Sequence, residues 1–144
     1  MTRYFDASAL VKRYWREAGG PEVESLLLEG GCATARLSLV EVASALARRS
    51  RAGDLEDEEA VRLAGALAAD ADRFALVELT SEVEARARAL VAAHPLRAGD
   101  AVQLASCLRL REESGEPIEF VAYDARLNRA ARAEGLRTRG ARPA

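Results

Sequence analysis

Lysine and histidine are almost missing from this chain of 144 residues, with Lys12 and His94 the only ones. Any mechanism that needs a dedicated lysine has one candidate, and His94, set just before Pro95, reads as structural rather than as a general base. The two cysteines, Cys32 and Cys107, lie far apart and outside any ligand spacing. That excludes a disulfide scaffold and a zinc cluster, and makes the cytoplasm the expected compartment. No apolar run reaches the roughly 18 residues of a membrane span. The opening Met1–Asp6 lacks the basic, apolar, small-residue order of a secretory signal. No glycine-rich turn follows a strand-like run and no P-loop occurs, so dinucleotide-binding and P-loop nucleotide chemistry are both excluded. Neither sign of charge dominates: 21 basic residues stand against 23 acidic ones. Bulk attraction to nucleic acid is therefore not the source of any function.

What is present is a 49% apolar composition in a length that suits one compact domain. Short β-like runs alternate with amphipathic helical stretches. Strands are predicted at Thr2–Phe5, Cys32–Ala35, Ala75–Leu79 and Glu119–Tyr123, with a weak fifth at Leu136–Thr138. A helix is predicted from Asp6 to about Glu17, and Pro21 suits the first turn of the next. Further helices are predicted over Leu39–Arg51, after Asp54, from the Thr80-Ser81 cap to His94, from Asp100 to Ser114, and after Asp124. The reading is a three-layer α/β/α domain over residues 1–140 with a central, mainly parallel sheet of four to five strands, and a short tail at 141–144.

In such a sheet, ligands bind outside the carboxyl ends of the strands. Asp6 follows the first strand and Asp124 the fourth. Glu41 lies in the helix after the second strand, and Asp100 heads the helix that leads to the fourth. Each acid also has a plain structural reading. Asp is a favoured helix cap, and Ser38-Leu39-Val40-Glu41 matches a capping box, a device worth about 0.5–2 kcal/mol. The apolar company of Asp6, Glu41 and Asp124 is unnecessary for solvated caps, however. Clustered carboxylates repel, and a hard divalent cation relieves that repulsion.

The motifs that hold these acids resemble those of PIN domains, in particular VapC-type toxins of toxin–antitoxin pairs. Phe5-Asp6-Ala7-Ser8-Ala9-Leu10-Val11-Lys12 is similar to the opening motif, and Ser38–Leu46 to the second acidic motif. Leu96-Arg97-Ala98-Gly99-Asp100-Ala101-Val102-Gln103-Leu104-Ala105 is similar to the third, and Phe120-Val121-Ala122-Tyr123-Asp124-Ala125-Arg126-Leu127, followed by Ala130-Ala131 and Gly135-Leu136, to the closing one. Their order over nearly the whole chain is what makes the resemblance specific.

The resemblance implies a ribonuclease that depends on Mg²⁺ or Mn²⁺, with Asp6, Glu41, Asp100 and Asp124 as its metal-site acids. Asp6 and Asp100 would be direct ligands. Glu41 and Asp124 would act through water or hold a second ion. Ser8 is expected to hydrogen bond behind the acids, and Arg97 to meet a phosphate or pair with Asp100. The implied partners are an RNA substrate, a cognate antitoxin and a second copy of the chain in a homodimer, with no membrane.

Three further groups bear on RNA. Arg48, Arg49 and Arg51 cluster at one helix end and Arg109 with Arg111 on another; each set reads as a phosphate track or as a solvated face. Tyr4, Tyr14 and Trp15 stack on bases or pack internally. Two other classes remain beside the toxin: an RNA-processing nuclease without a toxic role, and a non-enzymatic binding module. A phosphatase of the haloacid dehalogenase type is set aside, because Ser8 stands where its second Asp is needed and no lysine follows Lys12.

Overall fold

Every strand of the sheet is short, and the central ones are mostly buried, the pattern of a parallel sheet covered on both faces, while the edge run Arg137–Arg139 is polar. The computed structural model describes residues 1–15 and 19–140. The strands are β1 (Thr2–Phe5), β2 (Cys32–Ala35), β3 (Ala75–Val77), β4 (Ile118–Val121) and β5 (Arg137–Arg139), all parallel, in the order β3-β2-β1-β4-β5. The first crossovers carry α1 (Ala7–Tyr14), α2 (Gly20–Leu28), α3 (Leu37–Arg51) and α4 (Asp57–Asp70). The later ones carry α5 (Ser81–Ala93), α6 (Ala98–Ser114) and α7 (Ala125–Ala133).

Side chains alternate across β1 and so divide the core in two. Tyr4 joins Phe120, Leu104 and Leu127 on the α5–α7 face. Phe5 joins Leu10, Val42 and Leu46 on the α1–α4 face. Leu10, Val42 and Leu46 are each 0% exposed, and burial of such side chains is worth roughly 1.5–3 kcal/mol apiece. The three-layer expectation is met, with five strands.

Strand order fixes where a ligand can sit. From β1 the chain moves outward through β2 and β3 with helices on one face, then returns to β4 and β5 with helices on the other. Between β1 and β4 the direction of winding reverses, which makes the carboxyl ends of these two strands the expected place for a ligand.

Several boundaries differ from expectation. Helix α1 ends at Tyr14, with the Trp15 amide bonded to the Val11 carbonyl at 2.7 Å. The predicted end at Glu17 lies outside the described residues, as does the tail at 141–144. Strands β3 and β4 stop at Val77 and Val121, two residues early in each case. Helix α3 starts at Leu37 behind Arg36, so Ser38 sits inside it and forms no capping box. Asp100 is likewise in the first turn of α6, whose cap residue is Arg97. At the far end of α6, Gly115 takes φ +70, a left-handed turn that ends the helix cheaply only for glycine.

Candidate active site

Asp6 is the first residue beyond β1 and caps α1: its Oδ1 accepts the Ala9 amide at 3.0 Å and the Ser8 hydroxyl at 2.6 Å. Ser8 Oγ in turn accepts the Tyr123 amide at 2.9 Å, which ties Asp6 to the segment leaving β4. Asp124 caps α7 through its Oδ1, which accepts from the amides of Arg126 at 2.9 Å and Leu127 at 3.1 Å. Asp100 stands in the first turn of α6, three residues beyond the cap residue Arg97. Asp6 and Asp124 therefore do cap, Asp100 does not, and the same geometry places three helix N-termini, with their partial positive charge, around one point of the sheet.

Glu41 arrives by another route. Ser38 and Glu41 are three residues apart and share a face of α3. Both meet Gln103 of α6, whose Nε2 donates to Glu41 Oε1 at 2.7 Å and to Ser38 Oγ at 3.0 Å. The other carboxylate oxygen lies against Gly99: a Cβ there would come within 2.6 Å of Glu41 Oε2. Glycine at this position is what lets α3 bring an acid up to the first turn of α6.

All four acids line one cleft of about 700 Å³, together with Ser8 and Gln103. Lys12, Arg48, Arg49 and Arg97 line the same cleft. Lys12 Nζ lies 4.6 Å from the centroid of the Tyr123 ring, and Arg48 Nη1 donates to Ser44 Oγ at 3.1 Å. Arg49 Nη1 is 3.7 Å from Asp54 Oδ2. Arg109 and Arg111 are used elsewhere: Arg109 pairs with Glu113 at 3.5 Å and Arg111 donates to the Glu134 carbonyl at 3.3 Å. Tyr4 is stacked on Phe120 in the core and Tyr14 Oη donates to Asp70 at 2.9 Å, so neither ring is open to a base. Trp15 carries the Arg49 guanidinium 6.0 Å above its ring. His94 Nε2 meets Glu134 at 2.8 Å, outside the cleft lining.

The acids feel one another. Burial pushes the Asp6 carboxyl up from its ordinary 3.8 to about 7; the bonds from Ser8 and Ala9 oppose this, and the charges of Asp100 and Glu41 add to it. Asp100 is raised by burial and then by the charge of Asp124, against its Arg97 backbone bond and the charges of Arg97 and Arg126. Among the described residues no three such side chains close tightly enough to form a finished ion cage. The donor set nevertheless fits a hard divalent cation, because the cleft lining offers several carboxylate oxygens and no sulfur or imidazole. A cation there would offset the charge that burial makes costly on Asp6.

Two residues of this arrangement stand in the third motif read above, yet no role was read for either. Gln103 lies one turn beyond Asp100, on the same face of α6, and Gly99 immediately precedes it; helical spacing was the available clue to their place beside the acids.

Comparison with known proteins identifies the family. Over 140 residues, 93% of this chain and 92% of theirs, the chain is 42% identical to two Mycobacterium tuberculosis proteins, Ribonuclease VapC45 of strain CDC 1551 and Ribonuclease VapC49 of strain H37Rv. Its fold matches FitAcB from Neisseria gonorrhoeae with a TM-score of 0.62 at 13% identity, covering 95% of this chain and 96% of that one. It also matches a toxin–antitoxin complex from Klebsiella pneumoniae with a TM-score of 0.58 at 18% identity, over 85% and 87% of the two chains. The model of the PIN domain matches residues 3–133, and with the four acids gathered at the end of the sheet the chain belongs to the PIN domain family.

Proposed function

We propose that the protein is an endoribonuclease dependent on Mg²⁺ or Mn²⁺ and acts as the toxin of a toxin–antitoxin pair. One observation carries the reading: four acids from distant parts of the chain line one cleft where the winding of the sheet reverses. The 42% identity to two proteins named ribonucleases supports the reaction class. The toxin–antitoxin fold match supports the biological setting. The same reading makes a cytoplasmic homodimer, held inactive by its antitoxin, the resting state of the protein.

Asp6 and Asp100 would hold the cation directly, with Glu41 and Asp124 joining through water or at a second ion. When bound, the ion supplies Lewis-acid polarisation of a phosphoryl oxygen and a lowered pKa for its water. The chain's own groups do the rest. Ser8 keeps Asp6 in one orientation through its 2.6 Å hydrogen bond. Lys12, Arg48, Arg49 and Arg97 present cationic groups along the lining, where a polyanion would otherwise meet only acids. Arginine suits this task, because its planar fork binds phosphate oxygens in pairs.

The test is RNA cleavage by purified, antitoxin-free protein with Mn²⁺ and with chelator, in wild type and Asp6→Asn. Cleavage that needs the metal and is lost in the variant supports the assignment. Full activity in Asp6→Asn, in a protein that melts like wild type, would overturn it.

A further inference from the structure

Behind the cleft runs a chain of polar groups with no open end. Tyr4 Oη lies 2.6 Å from Gln103 Oε1, and Gln103 Nε2 reaches both Ser38 Oγ at 3.0 Å and Glu41 Oε1 at 2.7 Å. Ser38 Oγ is 2.7 Å from Thr34 Oγ1, which donates to the Phe5 carbonyl at 2.6 Å. Tyr4, Thr34, Ser38 and Gln103 are all buried, Gln103 with 2% exposure.

The direction of every bond follows from its two ends. Glu41 Oε1 accepts from the Gln103 nitrogen, so the Gln103 oxygen faces Tyr4, whose phenol must donate. At the other end the Phe5 carbonyl can only accept, so the Thr34 hydroxyl gives its one proton there. Ser38 then donates to Thr34 and accepts from Gln103. A buried amide costs about 1–3 kcal/mol for each group left unpaired, so this chain is stable only when complete. It begins at one cleft acid and ends on the carbonyl of the residue before another, Asp6. It also crosses β1, which leads into Asp6, then β2, and the helices α3 and α6 that carry Glu41 and Asp100.

We propose that Gln103 is a positioning residue: its amide, held by Tyr4 and Ser38, pins Glu41 Oε1 so that the second carboxylate oxygen is left for the cation. This rests on the metal-dependent reading above. A carboxylate on three rotatable bonds has many poses beside a water-filled cleft, and a donor fixed at both ends removes most of them. Outer partners of metal ligands commonly carry about 10- to 100-fold in metal affinity.

The experiment is a Mn²⁺ titration followed by calorimetry and by melting temperature, in wild type, Gln103→Met, Glu41→Gln and the double variant. Methionine matches the length and flexibility of glutamine without its donors. The expected result is a Kd raised about tenfold or more by Gln103→Met alone, and changed less than twofold by the same substitution in the Glu41→Gln background. An unchanged Kd, with only the metal-free melting temperature lowered, means a purely structural amide and overturns the proposal. An equal loss in both backgrounds also overturns it, since Gln103 then does not act through Glu41. Should Gln103→Met fail to fold, Tyr4→Phe keeps the ring and removes only the hydroxyl that holds the Gln103 oxygen. A severalfold rise in Kd that disappears beside Glu41→Gln supports the proposal, and no rise rejects it. Folded wild type that binds no Mn²⁺ ends the metal reading and this inference together, an outcome distinct from bound metal with an idle Gln103.

Discussion

Asp6, just beyond β1, and Glu119, on the adjacent strand β4, are equally buried, at 4% and 5% exposure, yet their surroundings are opposite. Glu119 Oε1 accepts from Arg3 Nε at 2.7 Å and Arg139 Nε at 3.1 Å. Burial raises its pKa, but the two guanidinium bonds outweigh that and hold it below the ordinary 4.5. Asp6 has a hydroxyl and an amide for partners and two further carboxylates as neighbours, and it is pushed up to about 7. A carboxylate whose task is structural is folded together with its counter-charge. A carboxylate surrounded by others stays costly until a cation arrives, and that cost is the physical mark of a binding site.

The comparison breaks most decisively at Asp6. Asp6→Asn should lower metal-dependent RNA cleavage by more than about 100-fold, beyond the loss of an outer partner, while the protein still melts cooperatively. Glu119→Gln should do the reverse. It should cost about 2 kcal/mol, less than a fully buried pair because Arg139 is partly exposed, and leave the Mn²⁺ response of the folded protein unchanged. The sign with pH is fixed by the lowered pKa: the Glu119 contribution is present in full above pH 4.5 and fades as pH falls through its folded value. Acid melts of the two proteins should therefore converge below pH 4.5, whereas a constant gap would contradict the ion cluster.

Gly99→Ala sharpens the comparison on the acidic side alone. The added methyl would lie 2.6 Å from Glu41 Oε2, so the flexible carboxylate must move. Mn²⁺ affinity should fall about tenfold with no loss in melting temperature, since alanine favours a helix over glycine. The smallest effect is expected at the rim. Arg48→Gln with Arg49→Gln should flatten the salt dependence of single-stranded RNA binding by about 1.4 in log–log slope if both meet phosphate, and an unchanged slope removes them from the track.

The strands were legible because burial on both faces writes itself as short apolar runs; Cys32–Ala35 has the bounds read from sequence. Asp6 and Asp124 were legible because a strand followed at once by a cap is a local pattern. Other features are not local. Arg36 opens α3 early through its amide bond to the Val77 carbonyl and its pairing with Glu78, both 41 or more residues away, so Ser38 and Glu41 leave the capping position their spacing suggests. The Gln103–Glu41 bond joins residues 62 positions apart, and neither neighbourhood announces the other. Strand order, which makes the crevice, also depends on a crossover that no short motif encodes.

The central claim is that these acids form a cation site, and the thermal midpoint of antitoxin-free protein with and without Mn²⁺, in wild type and Asp100→Asn, tests it most directly. Metal at a hundred times its Kd stabilises a protein by about 2.7 kcal/mol, which raises the midpoint of a domain this size by several degrees. The account predicts that rise in wild type and its loss in Asp100→Asn. No rise in wild type, or an equal rise in both, would contradict it.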